Sequence, residues 1–324
     1  MKLRLLSADD IDRSLSMNES IEAIAQAFSL FSSGQAVLPM RGCIEMPLGT
    51  SLFMPAYLKT GALALKVVSV FPENSKVGLP TVNALVIALD SRTGQPLALL
   101  DGRRLTALRT GAASGVATRL LSRKDARVLA LFGAGGQAWD QARAVAAVRS
   151  LEEIRIYTPS GVSARRLAKR LKSEYSAIDA RAAETPAQAV QGADIITCAT
   201  TSRTPVFPPS AVDPGTHING IGSFTPRMRE VQVLGLSPLR IFVDSRAAAL
   251  AEAGDLIQPI EEGYLIEDDL TEIGQVILGA AAGRSSGEEI TFFKSVGIAV
   301  QDAAVCHAAL RRAESLGLGS SIEL

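Results

Sequence analysis

The residues of this chain best suited to chemistry form two sets. One is a glycine-rich turn, Gly133-Ala134-Gly135-Gly136-Gln137-Ala138. The other is a pair of cations among small and apolar neighbours, Lys66 and Arg109. The turn follows an apolar run ending at Phe132 and opens an amphipathic segment from Trp139 to Ser150. Strand, Gly-x-Gly-x-x-Ala and helix in that order make the arrangement a dinucleotide requires. Gly133 allows the tight turn, Gly135 lets the backbone approach a pyrophosphate, and the small Ala138 lets the helix pack closely on the strand. The start of the helix offers unpaired N–H groups and a partial positive charge to the phosphates. The alternative, an ordinary glycine turn, accounts for neither the strand nor the helix.

The end of the next strand discriminates between dinucleotides. An acid there would bind a ribose 2′-OH and repel a 2′-phosphate. The strand Glu153-Ile-Arg-Ile-Tyr157 instead leads into Thr158-Pro-Ser160-Gly-Val-Ser163, with Arg165 and Arg166 following. Hydroxyls and guanidiniums suit a phosphate, which favours NADP(H) and leaves NAD(H) possible. Thr158 and Ser160 could also simply cap the following helix.

Lys66 interrupts the apolar stretch Ala62-Leu-Ala-Leu-Lys-Val-Val. An ammonium there is costly unless it meets an anion or faces water, so an edge-strand position is the alternative. Arg109, beside Thr110 and Gly111, could take a carboxylate or phosphate bidentately, or form a surface ion pair. Arg41, in a loop-like start, means little alone. Thr200-Thr201-Ser202 and Ile221-Gly222 end two expected strands, where ligands of such folds bind. His217 begins its strand, away from that end, and reads as structural.

These groups need a scaffold, and its outline is visible. A capping box at Ser16-Met-Asn-Glu19 opens a helix ending at Gly34. Strands over 61–71, 82–89 and 96–100 predict a mostly antiparallel sheet. From residue 124 to 290 the pattern changes. Strands at 127–132, 152–157, 194–199, 217–221 and 240–244 alternate with helices, which predicts a Rossmann-type, doubly wound parallel α/β sheet. A helix from about Ile298 to Leu316 is expected to return to the N-terminal part. The expected domains are therefore a discontinuous α+β substrate and dimerisation domain, 1–123 with 291–324, and a dinucleotide domain, 124–290.

Composition narrows the functions. The 33 basic and 33 acidic residues balance, so no field is set up for nucleic acid. The most basic stretch, Arg165 to Lys172, reads as a solvated helix face. Cys43, Cys198 and Cys306 lack metal-ligand spacing, and with only two histidines no metal site is expected. No segment reaches the ~18 apolar residues of a membrane span, and acids near the N-terminus argue against a signal peptide. A cytoplasmic protein is expected.

Seven motifs occur together in order: Lys66 with Pro72, Gly78-Leu-Pro-Thr81, Arg109-Thr110-Gly-Ala, the Gly133–Ala138 turn, His217-Ile-Asn-Gly-Ile-Gly222, Val243-Asp-Ser245 and Phe293-Lys-Ser-Val-Gly297. In this the chain resembles the ornithine cyclodeaminase/mu-crystallin family along nearly its whole length. The resemblance implies a homodimer, a nicotinamide cofactor and a small amino or imino acid substrate. It implies that Arg41, Lys66 and Arg109 hold the substrate carboxylate, that Ser295 and Val296 close the pocket, and that Thr81 lies near the nicotinamide. It also implies that Thr110, Gly135, Gln137, Thr158, Ser160 and Thr200 line the cofactor.

One position departs from the pattern. Ornithine cyclodeaminases of the family carry an Asp where this chain has Phe224, which can neither accept a proton nor pair with an ammonium. The Ser223-Phe-Thr-Pro226 version resembles the family's ketimine reductases, which act on Δ1-pyrroline-2-carboxylate and Δ1-piperideine-2-carboxylate. The expected reaction is reduction of a cyclic imine carboxylate to L-proline or L-pipecolate. Phe224 would exclude water, and either Lys66 or solvent would supply the imine proton. Ornithine cyclodeamination or alanine dehydrogenation is the alternative within the family. A non-catalytic, NADPH-bound ligand-binding protein is the alternative of another class.

Overall fold

The computed structural model describes residues 2–323. The chain divides into two compact units, one running as far as Arg109 and resuming at Ile298, the other Thr110–Gly297. In the first unit, β1 (Lys2–Leu6), α1 (Ala8–Ser14) and α2 (Met17–Ser32) lead into a run of strands. These are β2 (Ala36–Val37), β3 (Gly42–Met46), β4 (Gly49–Leu58), β5 (Ala62–Val70), β6 (Val82–Asp90) and β7 (Pro96–Asp101). The capping box forms: the Ser16 hydroxyl accepts from Glu19 N, and Glu19 Oε2 accepts from Ser16 N at 2.9 Å. Helix α3 (Gly102–Leu121) carries the chain onward.

The second unit contains β8 (Val128–Phe132), α4 (Ala138–Val148), β9 (Glu153–Tyr157), α5 (Val162–Glu174), β10 (Asp179–Ala182), α6 (Pro186–Val190), β11 (Ile195–Cys198) and β12 (His217–Gly220). It continues with β13 (Leu239–Val243), α7 (Arg246–Glu252), α8 (Gly254–Glu261), β14 (Leu270–Glu272), α9 (Ile273–Ile277) and β15 (Ile290–Lys294). Two further elements, α10 (Ala299–Ser315) and β16 (Ser320–Glu323), return to the first unit.

The sheet of the first unit has the order β16-β1-β7-β6-β5-β4-β2, with β3 beside β4. Among the described residues of this sheet, only β1 and β7 pair in parallel. Helix α10 packs against α2, β4 and β5, which satisfies its apolar face and makes the unit discontinuous. The sheet of the second unit is parallel throughout, in the order β10-β9-β8-β11-β12-β15-β13-β14. Every residue of β11, β12 and β15 is buried, as expected for a parallel sheet covered on both faces. The doubly wound α/β expectation holds. The strand order switches sides at β8, with β9 and β10 on one side and β11 and β12 on the other, and ligands of such sheets bind outside the carboxyl ends of strands at that switch.

The division falls at Arg109/Thr110 and Gly297/Ile298, where the sequence suggested 123/124 and 290/291. Both differences have a hydrogen-bonding cause. The later half of α3 is tied to the second unit: Asn219 Nδ2 and Arg149 NH2 donate to the Thr118 hydroxyl and carbonyl, each at 3.0 Å. Strand β15 lies between β12 and β13, so Phe293, Lys294 and Ser295 belong to the parallel sheet and its strand ends. The sequence missed β15 because Ile-Thr-Phe-Phe-Lys carries no alternation; all five residues are buried.

Candidate active site

Lys66 sits in the middle of β5, between β4 and β6, facing Met54 and Val86 across the ladder. It shares its buried face with Ala62, Ala64 and Val68. The edge-strand alternative is therefore excluded, and the ammonium is only 2% exposed. Its counterion is Asp302, in the first turn of α10, with Nζ 2.7 Å from Oδ2. A carboxylate there is also favoured by the helix N-terminus. Arg109, in the first half of α3, donates through Nε to the other Asp302 oxygen at 3.1 Å and through NH1 to Gln301 Oε1 at 2.5 Å.

Arg109 is thus neither a free clamp nor a surface ion pair. Two of its edges are already committed inside the protein, and what it can offer a ligand is the remainder of the fork. Arg41 is half-buried and bears electrostatically on Lys66. Burial pushes the Lys66 ammonium down from 10.5 to about 8. Asp302 holds it up against that cost, while Arg109 and then Arg41 lower it further. The cluster therefore has two cations to one carboxylate, a surplus that favours an anion, and an ammonium able to release a proton near neutral pH.

In the second unit, Gly133 follows β8 with φ +96°, and a Cβ there would lie 2.4 Å from the Ala199 carbonyl. Only glycine lets the end of β8 pass the end of β11 in this way. A Cβ on Gly135 or Gly136 would meet nothing within 4 Å. These two exposed glycines form an open backbone cradle at the start of α4, which fits a pyrophosphate. Ala134 and Gln137 are half-buried beside it, and Ala138 is fully buried. At the end of β9, Ser163 Oγ donates to Thr158 Oγ1 at 3.3 Å and Ser160 is exposed. The Arg165 guanidinium lies 2.8 Å from where a Gly161 Cβ would stand, against this turn. The N-cap of α5 is Gly161 and no side chain caps the helix, so Thr158 and Ser160 do not serve as caps; the basic residues of α5 are exposed, as expected.

Thr200 Oγ1 donates to Glu230 at 2.8 Å and accepts from Ser202 N at 3.1 Å. Both the hydroxyl and the backbone N–H of Thr200 are thus committed internally, to Glu230. Ile221 is buried, Thr201 is exposed and Gly222 is half-buried. Ser295 donates to Asp244 Oδ2 at 2.7 Å, and Gly297 N donates to the same oxygen at 2.8 Å. Val296 beside them is half-buried. Thr110 is buried in α3, and Thr81, half-buried, accepts from Phe71 N through its carbonyl. Phe224 is 43% exposed; within the single chain it lies open rather than sealing a pocket. His217 is fully buried between Thr291 Oγ1 and Asn219 Oδ1 at 2.9 and 3.1 Å, its imidazole pushed down to about 3 by burial. That is a structural histidine.

Sequence reasoning overlooked Asp302, Gln301 and Glu230. Asp302 reads as an ordinary first-turn acid, and its partner Arg109 is 193 residues away. A buried-face position for Asp302, read together with Lys66, was the one available hint. Among the described residues no cluster of His, Cys, Asp or Glu could hold a metal ion. No helix among them is long and apolar enough to cross a membrane.

Comparisons with known proteins agree with this architecture. The chain is 40% identical over 324 residues to a Delta(1)-pyrroline-2-carboxylate reductase of Bacillus cereus, covering 98% of this chain and 99% of the other. It superposes with a TM-score of 0.94, at 39% identity, on the Thermococcus litoralis Delta(1)-pyrroline-2-carboxylate reductase in complex with NADH and L-proline, covering 99% and 100% of the two chains. An archaeal alanine dehydrogenase dimer with bound NAD matches with a TM-score of 0.93 at 35% identity, over the full length of both chains. The family model for ornithine cyclodeaminase/mu-crystallin matches residues 1–316. By these likenesses, and by the glycine cradle and the lysine-centred cluster they share a chain with, the protein belongs to the ornithine cyclodeaminase/mu-crystallin family.

Proposed function

We propose that this protein is an NAD(P)H-dependent oxidoreductase that reduces the C=N bond of a small cyclic imino acid. Δ1-pyrroline-2-carboxylate and Δ1-piperideine-2-carboxylate are the substrates, and L-proline and L-pipecolate the products. The observation that carries this is the buried cluster of Lys66, Arg109 and Asp302, with one positive charge in surplus. Arg109, with Arg41 and Lys66, holds the single carboxylate of the substrate. Holding the reactant in one orientation accounts for much of the expected rate. Lys66, with its proton held near neutral pH, donates from Nζ to the imine nitrogen. Asp302 keeps Lys66 charged until that step and receives the charge change beside it.

The second unit is the dinucleotide-binding part in this reading. Gly133, Ala134, Gly135, Gly136 and Gln137 cradle the pyrophosphate, and Thr110, Thr200, Thr201, Ile221 and Gly222 line the remainder. A reduced nicotinamide, when bound, supplies the hydride that reduces the imine carbon. Thr158, Ser160 and Arg165 favour NADPH over NADH, since hydroxyls and a guanidinium suit a 2′-phosphate and no acid repels it. The expectation of a homodimer is supported by apolar side chains exposed on the first unit, among them Val37, Ile44, Leu48, Val77 and Leu85.

The test is NADPH consumption with each imine ring, repeated with NADH. Turnover of either ring with formation of the saturated amino acid is expected. NADPH binding without turnover of either ring would overturn the proposal. A second reading, oxidative deamination of alanine, rests on the likeness to the archaeal alanine dehydrogenase. It would be selected by NADH formation from L-alanine at a rate above that of imine reduction.

A further inference from the structure

The second unit buries a carboxylate for which the proposed chemistry has no use. Glu230 is fully buried, and its two oxygens divide their bonds. Oε1 accepts from Thr200 N at 2.6 Å and Thr200 Oγ1 at 2.8 Å. Oε2 accepts from Gly222 N at 2.6 Å and Ser223 N at 2.8 Å. One oxygen therefore serves the loop after β11 and the other the loop after β12. The two loops are also in direct contact: a Cβ on Gly222 would lie 2.0 Å from the Thr200 carbonyl. Glu230 is itself fixed, because Asp255 Oδ1 accepts from Glu230 N at 2.6 Å and Val231 N at 2.9 Å. The other Asp255 oxygen pairs with Lys294, at the end of β15, at 2.9 Å.

We infer that Glu230 is a positioning residue that sets the spacing of the two strand-end loops on which the nicotinamide half of the cofactor rests. This depends on the proposed cofactor role of Thr200, Thr201, Ile221 and Gly222. In a doubly wound sheet the far half of a dinucleotide lies over the strands beyond the reversal, here β11 and β12. Four bonds to one ionised carboxylate give a stiff tie, since charge-assisted hydrogen bonds are the stronger kind. A glutamine at this position can satisfy only one loop. Its NH2 would face two donors on the other. The glycine cradle after β8 makes none of these bonds, so the adenosine and pyrophosphate half is expected to be indifferent to Glu230.

The only tryptophan, Trp139, adjoins the cradle and provides the signal for binding. Wild type and Glu230→Gln are titrated with NADPH and with 2′-phospho-ADP-ribose, which lacks the nicotinamide, and single-turnover hydride transfer is recorded in parallel. Glu230→Gln is expected to bind NADPH about tenfold more weakly and to transfer hydride about 10- to 100-fold more slowly. Its affinity for 2′-phospho-ADP-ribose stays within about twofold of wild type, a split that general loosening of the fold would not produce. Equal weakening of both ligands, or unchanged NADPH affinity with unchanged hydride transfer, overturns the inference. Should Glu230→Gln not fold, Glu230→Asp keeps the charge but is one methylene too short to reach both loops. About threefold weaker NADPH binding with unchanged fragment binding is then expected, and unchanged NADPH binding overturns it. A wild type that binds NADPH but reduces no cyclic imine sinks the functional proposal alone. The contrast between the two ligands would still read out Glu230.

Discussion

Each unit buries a set of three charged side chains, and the two sets are built in opposite senses. In the first, Lys66 and Arg109 share the single carboxylate of Asp302. In the second, the single ammonium of Lys294 pairs with Asp255 and bears electrostatically on Glu230. Burying unpaired charge is costly in either case, so the surplus must be answered. The negative surplus is answered from within: backbone N–H groups of Thr200, Gly222, Ser223, Glu230 and Val231 all point at the two carboxylates. Burial still pushes the Glu230 carboxyl upward, with Lys294 opposing that rise. Among the described residues the positive set meets, besides Asp302, the neutral Gln301 Oε1 and no second carboxylate. What can answer it is an anion from outside. The same physics thus yields an internal tie in one unit and, under the proposed function, a carboxylate-binding site in the other.

That contrast can be tested where it is strongest. Lys66→Met removes half of the positive set and the proposed proton donor. Imine reduction is expected to fall about 10³-fold in kcat/KM, with NADPH affinity unchanged, as read by steady-state kinetics and cofactor titration. Retention of the full rate would mean that the surplus charge serves no substrate. Lys66 also has a signature in stability. Its folded value of about 8 lies below its ordinary 10.5, so between those limits the unfolded chain binds the extra proton. Stability of the wild type is expected to rise with pH across that window, and the Lys66→Met variant to lose that rise, in urea unfolding at pH 7, 9 and 10.

Asp302→Asn leaves two buried cations without their carboxylate. A loss of about 3–5 kcal/mol in unfolding free energy is expected, as for breaking one partner of a buried pair. The kinetic sign is also fixed. Asp302 raises the Lys66 value, so its removal lowers that value further. Activity that needs charged Lys66 is present below about pH 8 and lost above it, and in Asp302→Asn the loss moves to lower pH. A basic limb that stays in place would detach Asp302 from Lys66. Arg109→Lys keeps the charge but cannot keep both Asp302 and Gln301 while presenting an edge to a carboxylate. KM for the imine is expected to rise about tenfold, with a smaller change in kcat. The smallest effect belongs to the cofactor side. Arg165→Ala is expected to cut the preference for NADPH over NADH about fivefold, measured as the ratio of the two kcat/KM values.

The sequence disclosed the second unit more fully than the first. Alternating strands and helices, with a glycine turn after the first strand, have a local cause at every step, and β8, β9, β11, β12 and β13 stand where periodicity put them. Strands β10 and β14 escaped because they are only four and three residues long, and β15 because all five of its residues are buried and show no alternation. In the first unit Lys66 stood out because an ammonium in an apolar strand is a local anomaly. Its meaning was left divided between an exposed edge and a buried ion pair. Only the order of the strands, with β5 inside the sheet, separated these. Arg109 was singled out as a guanidinium suited to a carboxylate, yet its commitment to Asp302 and Gln301 could not be read from Leu-Arg-Thr-Gly.

The chain alone fixed the dinucleotide turn, the missing acid after β9 and the presence of Phe224, since each is a matter of residue type at a position set by neighbours close in sequence. Which charges face one another was settled by folding. Asp302 reaches Lys66 and Arg109 because α10 packs back on β5, and Glu230 reaches two loops because β11 and β12 end side by side. Pairings of that kind depend on long-range packing, and no spacing along the chain encodes them.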